Sequence, residues 1–338
     1  MTTANTTKPK VLLIVKKDLY SLIFSHIEEQ FEEKFDLIKI YSDQLDQDNL
    51  SKDLPDLSGV KAYVTSWRSP AVNQEFLNLM PDLEIVAHAA GSIKNYVCEQ
   101  AFENDIKVTS AHMALAPSVA ETTLMLTLMG LKLYKKQSKR IEAGKYRTPE
   151  PVGYELLEKT VGLIGYGRIA RCFRQLLTGF NTEVLAYDPY LEQKQIASED
   201  VKLVELDELL SSSHVVSLHA PGIKENDKII DAEALVKMQD DTLIVNTARG
   251  ILIDEDALYD ELKTGRLRAA LDVTRNEPLP LDSPLRELDN FIVTPHIGGY
   301  TFDSRRHAGE LILEELCRHF QGEELQHEAQ IKQLDHRA

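Results

Sequence analysis

The segment from Thr160 to Asp188, TVGLIGYGRIARCFRQLLTGFNTEVLAYD, constrains the fold more than any other part of this chain. Val161 to Ile164 is an uninterrupted apolar run suited to a buried parallel strand, and Gly165-Tyr166-Gly167-Arg168-Ile169-Ala170 turns from it into a helix reaching Leu177. Each small residue has a distinct reason. Gly165 permits the tight turn, Gly167 lets the backbone approach a pyrophosphate, and Ala170 keeps the helix close to the strand. The helix start adds unpaired N–H groups and partial positive charge, so an anionic diphosphate suits it. A second strand, Thr182 to Tyr187, ends at Asp188, 23 residues after Gly165. A carboxylate there accepts hydrogen bonds from ribose hydroxyls and repels a 2′-phosphate. Pro189 and Tyr190 follow it, with no adjacent Lys or Arg, so NAD is the expected cofactor rather than NADP.

A chain of 338 residues, 43% apolar, is long enough for two domains of ordinary size. The first ten residues lack the layout of a secretory signal. The most apolar helix candidate, Ala120 to Tyr134, is interrupted by polar residues and reads as too short for a bilayer, so a cytoplasmic protein with no membrane partner is expected. Cys98, Cys172 and Cys317 have neither zinc spacing nor a disulfide pattern, and no metal is expected. A net charge of −16 argues against nucleic acid as a partner, although Lys132 to Arg140 is a local basic stretch.

Strands are expected near Lys10 to Val15, Leu37 to Ile40, Ala62 to Thr65, Glu84 to Ala87 and Lys107 to Thr109, alternating with charged amphipathic helices. A long apolar helix from Ser118 to about Lys139 follows, then a loop from Gly144 to Gly153 containing Pro149 and Pro151. After Thr160 the alternation resumes, with strands at Val215 to Leu218, Leu243 to Asn246, Arg268 to Leu271 and Phe291 to Val293. Asp254 to Lys263 reads as a helix with an Asp cap and Gly265 beyond its end.

Ligands of open parallel sheets bind at the carboxyl ends of strands, and three of these strands end in reactive residues. Thr247-Ala248-Arg249-Gly250 follows one, Asp272 and then Glu277 follow another, and His296-Ile297-Gly298-Gly299 follows the third. The segments VNTARGILIDEDAL, AALDVTRNEPLPLDSPL and NFIVTPHIGGYT, with VGLIGYGRIAR and HAPGIKENDKIID, resemble the signatures of the NAD-dependent D-isomer-specific 2-hydroxyacid dehydrogenases. The resemblance covers about Ser118 to Gly299 and continues more loosely toward the N-terminus.

It implies an α/β fold of two Rossmann-like or flavodoxin-like lobes with parallel sheets, the nucleotide-binding lobe inserted into the substrate lobe. Residues 1–111 and 301–338 would form the substrate domain and 112–300 the NAD-binding domain. It also implies an enzyme that interconverts a small 2-oxo acid and its D-2-hydroxy acid, with hydride moving between C2 and the nicotinamide. A glyoxylate or hydroxypyruvate reductase is the expected type. His296 suits the proton role, since imidazole titrates near neutrality, and Glu277 would orient it and favour imidazolium. The planar fork of Arg249 would grip the substrate.

On the cofactor side the resemblance implies contacts from Gly165, Gly167, Arg168, Ile169, Asp188, His219, Ala220, Pro221, Thr247, Ala248, Asp272, Gly298 and Gly299. Asp272 would meet the nicotinamide carboxamide and His219-Ala220-Pro221 the adenosine side. Ala90, Gly91, Ser92, Trp67 and Arg68 would meet substrate together with Arg249. The pattern departs from the family in this half: Ser92 replaces a usual Gly and Lys94 a usual acid, and Ser110-Ala111-His112 stands where Asn-Thr-Pro is frequent. Lys94 either faces solvent or serves a second acidic group on the substrate, and Trp67 either packs or selects substrate. Two other readings are a short phosphoglycerate dehydrogenase, the chain carrying no C-terminal extension beyond Ala338, and an NAD-sensing corepressor-like interaction protein. A homodimer through the Ser118 helix region is expected by the resemblance.

The carboxylate at the end of the second strand gives the first test. Asp188→Ala should narrow the preference for NADH over NADPH, read as the ratio of kcat/KM for the two; a wild type that prefers NADPH would contradict the assignment.

Overall fold

In a computed structural model, which describes residues 8–45, 50–147 and 152–331, the chain divides into two units, Met1–Leu115 with Thr301–Ala338, and Ala116–Tyr300. Each is built on its own parallel sheet.

The first unit contains β1 (Lys10–Val15), β2 (Asp36–Tyr41), β3 (Val60–Thr65), β4 (Ile85–His88) and β5 (Lys107–Ser110), in the order β2-β1-β3-β4-β5, all parallel. β1 and β3 are almost wholly buried, which is why they read as continuous apolar runs rather than as alternating ones. The helix Phe302–Gln321, from the far end of the chain, completes this unit by laying Ala308, Ile312 and Leu316 against Ile23, Phe24 and Phe31. Thr301 caps its start, accepting the Ser304 amide, and Gly322 ends it with φ 74°. Glu315, 1% exposed, ties down the segment beyond. Its carboxylate accepts the amides of Gln326 (3.1 Å) and His327 (2.9 Å) and the Thr109 hydroxyl (3.2 Å). Charge-assisted bonds of this kind offset the cost of burying a carboxylate.

The second unit contains β6 (Thr160–Ile164), β7 (Glu183–Tyr187), β8 (Lys202–Leu203), β9 (Val215–Leu218), β10 (Leu243–Asn246), β11 (Arg268–Leu271) and β12 (Phe291–Val293). Their order is β12-β11-β10-β9-β6-β7-β8, again all parallel. Chain order runs outward in opposite directions from β6 and β9, so the crevice for a ligand is set at the carboxyl ends of those two strands. The short edge strand β8 left no pattern legible in the sequence, because two residues are below any period. The helix Glu255–Thr264 has the cap expected of Asp254, which accepts the Ala257 amide, and Gly265 stops it with φ 80°.

The long apolar helix differs from expectation. It starts at His112, encloses Pro117 within its opening turns, and ends at Leu131; a separate helix, Tyr134–Glu142, follows. Leu133 takes a left-handed conformation (φ 51°) and breaks the run. The Pro149 and Pro151 loop lies outside the described residues. At twenty residues, His112–Leu131 is long and apolar enough to cross a membrane by length and composition alone, contrary to the shorter helix read from the sequence. Within its unit it packs through Ala120, Thr123, Leu126 and Leu131, and Gly130 leaves room for the Leu243 side chain, which a β-carbon would meet at 2.6 Å.

Gly309 gives a stability test for the first unit. A β-carbon there would stand 2.0 Å from the Ile23 carbonyl oxygen, so helix and backbone must separate to admit it. Gly309→Ala should cost about 1–3 kcal/mol, as overpacking does, and lower the thermal midpoint seen by calorimetry; an unchanged midpoint would refute this close approach.

Candidate active site

The glycine turn at the carboxyl end of β6 owes its shape to the strand beside it. Gly165 has φ 84°, and a β-carbon on it would lie 2.7 Å from the Ala220 amide nitrogen, just beyond β9. Only glycine satisfies both the backbone angle and that approach. At Gly167 the opposite holds: a β-carbon would meet nothing within 4 Å, so the space at the start of the helix Arg168–Leu177 is open. Tyr166 is buried as core, its hydroxyl donating to Glu199 at 2.8 Å. Half-buried Asp188 accepts the Tyr166 amide on Oδ2 (2.9 Å) and the Tyr190 amide on Oδ1 (3.0 Å). It therefore fixes the glycine turn and keeps a lone pair on each oxygen for ribose hydroxyls. Open space at Gly167, a ten-residue helix start and this carboxylate together fit a dinucleotide.

His219, Ala220 and Pro221 follow β9 directly, but the His219 ring turns inward. Its Nε2 lies 2.9 Å from Ser217 Oγ and its ring centre 5.8 Å from that of Phe173, and burial pushes its pKa down to about 3. It stays neutral, and backbone rather than imidazole borders the Gly165 turn.

Beyond β10, Asn246 arranges the next turn, accepting the Ala248 amide (2.9 Å) and donating to the Arg249 carbonyl (2.8 Å). Thr247 is held by the Thr123 hydroxyl at 2.7 Å. The Arg249 side chain runs over Gly222, where a β-carbon would stand 2.7 Å from its Cγ, and donates to the Ala248 carbonyl at 2.6 Å. Burial lowers the Arg249 pKa and the Glu277 charge opposes this, and a guanidinium stays protonated in a protein. Gly250 lies so close to the next loop that a β-carbon would stand 2.0 Å from the Thr274 carbonyl carbon. The turn bearing Arg249 and the loop bearing Glu277 are thereby locked together.

Asp272, at the end of β11 and 2% exposed, organises the last element. Its carboxylate accepts the Thr294 hydroxyl (2.5 Å), the Ile297 amide (2.9 Å) and the Gly298 amide (2.7 Å). Its carbonyl accepts the His296 amide at 2.9 Å. This clamp holds His296 in a left-handed conformation, φ 55°. A non-glycine residue there costs about 1–2 kcal/mol, and bonds to a charged acceptor, at about 1.5–3 kcal/mol each, outweigh it. So held, His296 Nδ1 meets Glu277 Oε2 at 2.7 Å, while Glu277 Oε1 accepts the Thr274 amide at 3.3 Å. Both side chains remain accessible, at 49% and 40%. Asp272, Glu277, His296 and Arg286 line a cavity of about 360 Å³. Gly298 and Gly299 follow the clamp, the Gly298 carbonyl accepting the Ser118 hydroxyl at 2.9 Å.

The substrate candidates of the first unit lie at the carboxyl ends of β3 and β4, which are neighbours in that sheet. Ser66 Oγ donates to the Ala89 carbonyl (3.1 Å), joining the Trp67-Arg68 loop to the Ala90-Gly91-Ser92 loop. Trp67 is half-buried, with the Arg305 guanidinium 3.9 Å from its ring centre. Arg68 is exposed at φ 64°, its amide donating to Tyr96 Oη at 3.1 Å. A β-carbon on Gly91 would meet nothing within 4 Å, and Lys94 is exposed. His88 beneath them is fully buried, bonded to Thr65 Oγ1 at 2.7 Å, and burial depresses its pKa to about 3.

Sequence reasoning missed Asn246, Gly222 and Thr294, which position the reactive residues. Their signal was a polar residue, or a glycine, within four positions of a strand end. Arg275 was missed as well: its guanidinium donates to Asp227 (2.5 Å) and its amide to Glu255 (2.6 Å), anchoring the loop two residues before Glu277.

Residues 124–298 match the model of the D-isomer specific 2-hydroxyacid dehydrogenase NAD binding domain. The chain is 36% identical over 286 residues to a hydroxypyruvate reductase of Thermotoga maritima, covering 83% of this chain and 90% of that protein. It is 33% identical over 260 residues to a glyoxylate reductase of Thermofilum pendens, covering 75% and 76%. It spans only 48% of the D-3-phosphoglycerate dehydrogenase of Archaeoglobus fulgidus, to which it is 34% identical. The crystal structure of the TT0316 protein from Thermus thermophilus superposes with a TM-score of 0.77 at 26% identity, over 95% of this chain and all of that one.

Proposed function

Because the chain belongs to the D-isomer-specific 2-hydroxyacid dehydrogenases, NAD-dependent oxidoreductases, we propose that it reduces a small 2-oxo acid of the glyoxylate or hydroxypyruvate type to the D-2-hydroxy acid. The observation that carries the reading is the 2.7 Å pair between His296 Nδ1 and Glu277 Oε2 at the carboxyl ends of adjacent strands. Residues 112–300 bind the cofactor, and residues 1–111 with 301–338 contribute to binding the acid.

Bound NADH supplies the hydride that adds to C2. Glu277 holds Nδ1, so Nε2 of His296 is the nitrogen left to give a proton to the substrate oxygen as the carbonyl becomes a hydroxyl. In oxidation the same nitrogen takes that proton back. Arg249 binds the carboxylate with its planar fork and polarises the carbonyl. Asp272 and Gly250 act through these residues, one by fixing the His296 turn and the other by locking the Arg249 turn to the Glu277 loop. From the first unit, Ala90, Gly91, Ser92, Trp67 and the exposed Arg68 are the residues assigned to the acid, Gly91 being a position where a β-carbon would meet nothing within 4 Å.

A homodimer is part of the same proposal. Met125, Tyr134, Ile141, Tyr146 and Leu157 leave a third or more of each side chain in solvent within one stretch of the chain, and a second copy would cover them.

Three measurements follow. NADH oxidation with a panel of glyoxylate, hydroxypyruvate and 3-phosphohydroxypyruvate should favour one of the first two. His296→Ala should lose about 10²- to 10⁴-fold in kcat with NADH affinity kept, and full turnover in that variant would remove His296 from the proton role. Sedimentation equilibrium should give twice the chain mass, and a monomer at micromolar concentration would end the dimer proposal.

A further inference from the structure

The loop after β3 carries an arginine where glycine is the ordinary choice. Ser66, Trp67, Arg68 and Ser69 form a tight turn, closed by the Ser69 amide on the Ser66 carbonyl at 3.2 Å, and Arg68, its third residue, has φ 64°. A left-handed third position favours glycine, because a β-carbon there crowds the backbone. Arg68 is also the exposed residue of the turn: Ser66 and Ser69 are buried and Trp67 is half-buried. Strain of this kind persists only where the surroundings enforce it, and it gathers where a side chain is needed in one place.

The base of the turn is fixed without Arg68. The Ser69 hydroxyl donates to the Ile14 carbonyl of β1 (2.6 Å) and accepts the Ser66 amide (2.8 Å), while the Tyr63 hydroxyl donates to the Pro70 carbonyl (3.0 Å). For Arg68 itself one hydrogen bond is present among the described residues, from its amide to Tyr96 Oη at 3.1 Å. Tyr96 is well placed to bear it. Its carbonyl accepts the Val72 amide (2.8 Å) and its amide donates to the Ile93 carbonyl (2.9 Å). Its ring lies on the buried His88 ring, the centres 4.5 Å apart and the planes 30° from parallel, and His88 Nδ1 is in turn 2.7 Å from Thr65 Oγ1. The hydroxyl that meets Arg68 thus stands on a stem rooted in the ends of β3 and β4. The guanidinium, by contrast, has no ion pair among the described residues; Asp18, the acid that feels its charge, is paired with Lys16 at 2.8 Å.

We propose that Tyr96 is a positioning residue for substrate: its hydroxyl holds the Arg68 turn in the conformation that presents the guanidinium to the 2-oxo acid. This role rests on the reading that Arg68 binds the acid, and it names the group on which that contact depends. Without the hydroxyl the turn populates other backbone angles, and the affinity for the acid falls with the fraction of molecules still holding the competent one. Tyr96 acts through Arg68 and takes no part in hydride or proton transfer.

The test is steady-state kinetics with glyoxylate and with hydroxypyruvate at saturating NADH. Tyr96→Phe removes one oxygen and keeps the ring on His88. It should raise the KM for the acid about three- to tenfold, the span of a single hydrogen bond, with kcat and the KM for NADH unchanged, as when uniform binding is lost. Arg68→Gly, which removes the guanidinium and suits the turn, should raise the same KM at least as far, and Tyr96→Phe added to it should raise it no further. An unchanged KM in Tyr96→Phe beside a raised one in Arg68→Gly would overturn the proposal and leave Arg68 on the acid. An unchanged KM in both would remove Arg68 from the acid and this role with it. A fall in kcat alone, or an equal further rise in the double variant, would overturn it by showing that Tyr96 acts other than through Arg68.

Discussion

The buried carboxylate of Asp272 is the interaction on which the reactive end of this molecule depends. A charge almost wholly out of water is tolerable only when its oxygens are met by donors, and the donors it finds are the hydroxyl and amides of the segment from Thr294 to Gly298. The requirement works in both directions. The carboxylate needs the loop to be neutralised by hydrogen bonds, and the loop needs the carboxylate to keep His296 at a backbone angle that it would not hold alone. Position follows from this exchange: with the turn fixed, the imidazole reaches Glu277 without either residue being buried.

Backbone proximity plays the corresponding part elsewhere. Gly165 against Ala220, Gly250 against Thr274 and Gly222 against the Arg249 side chain are three places where a single β-carbon would force neighbouring loops apart. Each joins the loop of one strand to that of another. The carboxyl edge of the sheet is therefore a set of mutually located turns, and a side chain such as Arg249 inherits its position from residues that carry no charge.

This explains what was legible in the sequence. Buried parallel strands leave long apolar runs, so all but the two-residue β8 were readable, and the spacing from Gly165 to Asp188 identified the dinucleotide turn because its geometry is local. Arg249, Glu277 and His296 were readable because each follows a strand. Orientation was not. Whether the His219 ring faces a ligand or Phe173 depends on which neighbour has space, and nothing in its own segment records that. The break at Leu133 was hidden for a related reason: leucine favours helix, so a left-handed leucine is imposed by packing and not by propensity. The Asp272 clamp joins residues more than twenty positions apart, beyond the reach of any periodic pattern.

The carboxylates at the carboxyl edge of this sheet divide between two uses, and the division follows burial. Asp272, almost wholly out of water, accepts three donors on its two oxygens, so its capacity goes to holding the His296 turn. Asp188 is only half-buried and accepts one amide on each oxygen, which fixes the glycine turn and leaves a lone pair on each for ribose hydroxyls. Glu277 gives one oxygen to the Thr274 amide and the other to His296 Nδ1, so Nε2 is the ring nitrogen left for chemistry. A carboxylate therefore serves as scaffold where water is excluded and as a ligand or orienting group where water still reaches it.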